Sequence, residues 1–155
     1  MNEIAAYILG KAVDKAPSWI LSKFVSITKL ASEIKIKPRD NKHVHIDLQS
    51  QPPRIELYFE ITNLSHFNII LDRLLIEVWL SQPLFEGALL KRRIIGPRRI
   101  EPDVHFRHYL TESQAKIAHD FQAKNDPTVT PTIHLVGYFV TKIGIAQVEQ
   151  RIPKF

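Results

Sequence analysis

The chain has 155 residues, 45% of them hydrophobic and 24% charged, with no cysteine and a formal net charge of +5. That length supports one domain with a proper core plus an appendage, and the lack of cysteine excludes disulfides, thiolate catalysis and thiolate metal sites. No run of about 18 apolar residues argues for a membrane-spanning helix, and the short apolar run Ile4 to Leu9, interrupted by Lys11, Asp14 and Lys15, reads against a secretory leader. A cytoplasmic location is the expectation.

The charge is unevenly spread. Residues 51–90 carry more acid than base, and the basic excess sits in the N-terminal third and in the run from Lys91 to Arg107. A mild overall excess says only that anionic partners would not be repelled, and its clustering is the more useful observation.

In chain order, Asn2 to Lys15 reads as a short helix capped by Asn2, with Glu3 at the positive end of its dipole. Pro17 resets the chain, and a second helix is predicted from Ser18 to about Ile34. Ile20, Phe24, Ile27, Ala31 and Ile34 recur at the spacing of one helical face. Pro38-Arg39-Asp40-Asn41 marks a boundary, dividing an N-terminal helical segment, 1–37, from a β domain, 43–152.

Val44, Ile46 and Leu48 alternate with polar residues in a first strand. The clearest strand is Arg54 to Asn63, where Ile55, Leu57, Phe59 and Ile61 fall on one side of an extended chain. A strand or bulged strand pair follows from Asn68 to Ser81, then a loop bracketed by Pro83 and Gly87, then a basic strand at about 89–95. Gly96-Pro97 breaks the chain before a strand carrying Val104, Phe106, His108 and Leu110 on one face. Thr111-Glu112-Ser113-Gln114 has the form of a capping box, so a helix should start there and end at Asn125-Asp126-Pro127. Strands at Thr132–Thr141 and Ile145–Gln150, joined by a turn around Gly144, complete the reading. The sum is a mainly β chain: an immunoglobulin- or fibronectin-III-like antiparallel β-sandwich with one inserted helix and an N-terminal helical segment.

This order of features, with a strand ending in Asn63-Leu64-Ser65, a strand pair, the Phe85-Glu86-Gly87 loop, a proline-marked turn, a capped helix and a glycine-punctuated β-pair, resembles the late-embryogenesis-abundant domain of the water-stress and hypersensitive-response type. The resemblance covers about residues 43–150. The family's usual Asn-Pro-Asn turn is replaced here by Asn63-Leu64-Ser65. It implies a non-enzymatic domain linked to stress protection or membrane-associated interaction, and no catalytic residue carries over. An unrelated immunoglobulin-like sandwich explains the same pattern.

No residue set points to catalysis, a cofactor or a metal. There is no G-x-S-x-G elbow and no glycine-rich phosphate loop. His43 and His45 would point the same way from a strand, without an acidic ligand at suitable spacing. His108 and His134 fall on apolar registers and read as core or rim histidines. Two other groups stand out. Lys91, Arg92, Arg93, Arg98, Arg99 and Arg107 form a candidate anion-binding set, against the plainer reading of an edge strand kept from aggregating by charge. Trp19, Ile20, Phe24 and Ile27, flanked by lysines, have the composition of a helix facing anionic lipid or a protein partner. The expected function is therefore a non-catalytic interaction or stress-protective module at an anionic membrane surface. The alternatives are a nucleic-acid-binding accessory protein using the 91–107 run, and a homo-oligomer assembled through the N-terminal helix.

Overall fold

The structure is a computed structural model that describes residues 12, 15–39, 44–126 and 128–153. Nine strands form two antiparallel sheets among these residues, and three helices flank them. Strict alternation explains the strands. In β3 (Arg54–Asn63), Ile55, Leu57, Phe59 and Ile61 are fully buried in the core between the sheets.

β3 is the centre of the first sheet. β7 (Arg99–Tyr109) lies along one edge of it, while β1 (Ile34–Pro38) and β2 (Val44–Asp47) share the other, end to end. The second sheet is built on β4 (Ile69–Trp79). β8 (Thr132–Thr141) and β9 (Gly144–Pro153) follow on one side, and β5 (Pro83–Leu89) and β6 (Arg93–Ile95) divide the other. The inner faces meet through Phe59, Phe139, Leu71, Leu74, Ile76 and their neighbours. Each such side chain stabilises the fold by about 1.5–3 kcal/mol relative to exposure. Gly137 makes room here, since a Cβ would lie 2.7 Å from the Phe139 ring and 3.0 Å from Ile36 Cδ1.

Helices close the open sides. α2 (Ile27–Ser32) lies on β9, and α3 (Glu112–Lys124) lies on β5, burying Ala118 with Ala115, Ile117 and Phe121 beside it. The capping box at the start of α3 is formed: Thr111 Oγ1 accepts from the Gln114 amide, and Gln114 Oε1 accepts from the Thr111 amide. Asn125 ends the helix in the left-handed conformation, φ 43°.

Four expectations need correction. The helix predicted over 18–34 is two helices, α1 (Ser18–Phe24) and α2, separated by Val25 and Ser26 in extended conformation. β-branched Val25, Ile27 and Thr28 weaken a continuous helix, and Ser26 Oγ caps α2 by accepting from the Lys29 amide at 3.1 Å. Residues 34–38 are a strand, because Ile34-Lys35-Ile36-Lys37 also alternates with period two and β3 offers it a partner edge. The boundary at residue 37 therefore cuts through the sandwich. The 83–87 loop is instead β5, and the basic strand at 89–95 is reduced to β6. The helix predicted over Asn2–Lys15 lies outside the described residues apart from Ala12 and Lys15.

Candidate functional site

Asn63 organises one end of the molecule. It is fully buried where the chain leaves the first sheet for the second. Its amide nitrogen donates to the carbonyls of Phe67 at 2.7 Å, Ile95 at 3.2 Å and Gly96 at 2.9 Å. Its oxygen accepts from the Ser65 amide at 3.1 Å and the Ser65 hydroxyl at 2.7 Å. One side chain thus ties the β3–β4 crossing to the β6–β7 crossing and satisfies groups that burial would otherwise leave unpaired.

Phe67, just beyond this knot, forms a small second core with Leu21 and Leu30, against which Val25, Ile27 and Ile143 pack. Leu21 docks α1, and Leu30 docks α2. The Leu64 amide donates to the Glu33 carbonyl at 2.8 Å. Both short helices are therefore fixed to the sandwich end where the β3–β4, β6–β7 and β8–β9 turns meet. At about 100° per residue, Trp19 lies nearly opposite Leu21 and Phe24 lies on its flank. Trp19 is 63% exposed and Phe24 79%. Lys23 Nζ sits 5.4 Å from the centre of the Trp19 ring, a cation–π distance. Ser18, Trp19 and Ser22 line a shallow groove with Lys142 and Ile143 of the β8–β9 turn.

Of the four apolar residues singled out in sequence, Trp19 and Phe24 are exposed, Ile20 is half-buried, and Ile27 packs on both cores. Ile27 is part of the fold's interior. The basic run is dispersed. Arg98 and Arg99 sit at the helical end; the Arg98 amide donates to the Ser65 carbonyl, and its guanidinium lies 3.1 Å from His66 Nε2. Arg98 holds φ 55° in the turn after Pro97, a conformation costly for a side chain other than glycine. Arg93 lies on the inner-face register and bonds Glu101 at 2.8 Å, bridging β6 and β7 where the sandwich side would be open. Arg92 pairs with Asp72 at 3.5 Å. Lys91 is exposed between β5 and β6.

Arg107 stands apart. It pairs in register with Glu56, while Arg99 pairs with Asn63, so the two arginines are separated by about 26 Å of strand. Arg107 Nε donates to the buried Glu56 at 2.6 Å, and Tyr58 donates to the same carboxylate at 3.1 Å while stacking on His105. Burial alone would push the Glu56 carboxyl up, but the hydrogen bonds from Arg107 and Tyr58 and the charges of Arg107 and Arg54 hold it below the ordinary carboxylate value. The cluster neutralises a buried acid on the outer face of the first sheet.

The histidines also resolve. His108 stacks on Phe85 at 4.2 Å and meets Gln114, a rim position. His134 corrects the expectation of an apolar register: it points outward from the second sheet, between Glu77 at 3.4 Å and Glu149 at 2.6 Å. Among the described residues no three His, Asp or Glu side chains are grouped to hold a metal, and His43 lies outside those residues. No helix among them is long and apolar enough to cross a membrane. Sequence reading did not find Lys142 or Leu64 as neighbours of the N-terminal helices, because only the tertiary meeting of three turns brings them there.

Comparison with solved structures finds chains of partly similar shape. A protein from Archaeoglobus fulgidus matches at 8% identity and a TM-score of 0.47, covering 79% of this chain and 95% of its own. A Northeast Structural Genomics Consortium target matches at 12% identity and a TM-score of 0.48, covering 79% of this chain and 87% of its own. No protein-family model and no curated protein matches the sequence.

Proposed function

We propose that the protein is a non-catalytic interaction module that associates peripherally with anionic bilayers through its helical end. The observation that carries this reading is the exposure of Trp19 and Phe24 on a helix whose Leu21 is docked, with Lys23, Lys142, Arg98 and Arg99 at the same end. Exposed aromatic and apolar side chains enter the headgroup boundary, and nearby cations gain about 1 kcal/mol each at an anionic surface. The strained backbone at Arg98 adds support, since such conformations persist at positions where the side chain has a use. The nucleic-acid alternative would need Arg92, Arg93 and Arg107 free to meet phosphates, and Asp72, Glu101 and Glu56 hold those three guanidiniums.

The test is co-sedimentation of the full-length chain with phosphatidylcholine vesicles, with and without phosphatidylserine. Binding is expected only with phosphatidylserine and should weaken by about tenfold or more in the Trp19→Ala, Phe24→Ala double variant. Equal pelleting of that variant, or equal binding to neutral vesicles, would overturn the reading. A Trp79→Phe background leaves Trp19 as the sole indole, and its emission should shift to the blue on binding.

A further inference from the structure

The outer face of the second sheet is ordered in a way the lipid reading does not use. Its pairing registers define rows across the strands. In the row nearest the helical end, Ile94, Ile70, Val140 and Ile145 stand side by side. Ile94 is 71% exposed and Ile145 63%. Two rows further on, Leu75 and Val136 lie next to each other at the centre. In the following row Glu86, Glu77, His134 and Arg151 run from β5 to β9. The row between those of Ile94 and Leu75 carries Arg73, Tyr138 and Gln147, so the exposed apolar residues form two patches on the face, and exposed apolar patches mark interaction sites.

We propose that this face binds a second copy of the chain, about a two-fold axis parallel to the strands and running between β4 and β8. Self-complementarity carries the choice of occupant. That axis lays each row on itself with its order reversed. Ile94 then faces Ile145, Ile70 faces Val140, and Leu75 faces Val136. Glu77 faces His134, and Glu86 faces Arg151. Arg73 faces Tyr138, and Ala88 faces Glu149. The isoleucine, leucine and valine side chains meet apolar partners and Glu86 meets Arg151, the self-complementary pairing an isologous interface requires, while His134 is already held by Glu77 and Glu149 of its own chain. Glu86 and Arg151 are both exposed, at opposite edges of the same row, with no ion pair among the described residues. An anionic bilayer laid on this face would instead meet Glu77, Glu86 and Glu149 as repulsive charges. Four strands about 4.8 Å apart and ten residues at about 3.3 Å each give on the order of 600 Å² per copy. That is near the lower end of specific interfaces, so the dimer is reversible and concentration-dependent.

Sedimentation equilibrium of the full-length chain without lipid tests the proposal. A monomer–dimer equilibrium is expected. Ile94→Lys with Ile145→Lys should shift it to monomer with an unchanged circular-dichroism melt, since both side chains are already exposed. Glu86→Arg alone and Arg151→Glu alone should each raise the dissociation constant about tenfold or more, because each reverses two symmetry-related pairs. The double swap should restore dimerisation, which a merely structural role for either residue would not predict. A chain that stays monomeric at every concentration reached overturns the proposal. So does a dimer indifferent to all of these substitutions, which would place self-association on another surface.

Discussion

Single side chains settle where the chain can cross between sheets. Asn63 donates to the carbonyls of Phe67, Ile95 and Gly96, the first of which the Ser65 hydroxyl also reaches at 3.4 Å, and it accepts two bonds from Ser65. Asn63→Ala should cost about 3–5 kcal/mol, since it strands buried acceptors. Asn63→Asp, nearly the same shape, should cost at least as much, because a carboxylate would face three carbonyls. Urea unfolding of both variants checks this, and a mild effect of Asp would mean the amide is not the donor. Arg98 makes the opposite case. Replacing it by glycine should raise stability by about 1 kcal/mol by relieving φ 55°, while weakening binding to phosphatidylserine vesicles; a gain in both would separate Arg98 from the lipid surface. Glu56 governs acid behaviour. Its folded pKa is depressed, so its contribution is complete above the ordinary carboxylate value and is lost as pH falls through the lower folded value. The stability gap between the parent and Glu56→Gln should be widest near neutral pH and close on the acid side, read from denaturant unfolding across a pH series.

At the scale of elements, legibility followed the strength of the local pattern. β3, β8 and α3 could be read because period-two burial and a capping box are local signals, and each was realised within a residue or two. β1 is not legible in the sequence because Ile34 fits both a helical face and a strand, and only the free edge of β3 decides between them. Pro83 and Gly87 look like turn residues, so the sequence alone points to a loop where β5 lies. Pro83 in fact begins an edge strand, where proline is tolerated, and Gly87 lies beneath Phe106, whose Cζ would be 2.7 Å from an added Cβ. The candidate site was half legible. Its exposed aromatics, Trp19 and Phe24, are visible in composition, whereas the pairing of Arg92, Arg93 and Arg107 with acids depends on residues up to 51 positions away. Charge clustering along a sequence does not survive a fold that sends successive residues to different faces.

On the scale of the whole molecule, the N-terminal segment is not an appendage that can be cut away. β1 supplies Ile34 and Ile36, 1% and 2% exposed, to the main core, and α2 supplies the fully buried Leu30 to the smaller one. Losing two buried isoleucines alone is worth about 2–5 kcal/mol each, against a total stability of about 5–15 kcal/mol for a domain. A 40–155 fragment would also leave residues 59–63 of β3 as a bare edge next to exposed core, the arrangement that invites aggregation. That fragment is therefore expected to lack a cooperative melt in far-ultraviolet circular dichroism, whereas removal of residues 1–17, which hold no described strand, should preserve one. If the 40–155 fragment folds cooperatively, β1 is dispensable and the sandwich can be separated from its helices. If it does not, loss of lipid binding on truncation carries no information about α1. The membrane-facing end must then be mapped with Trp19 and Phe24 substitutions in the intact chain, where the core that positions them is untouched.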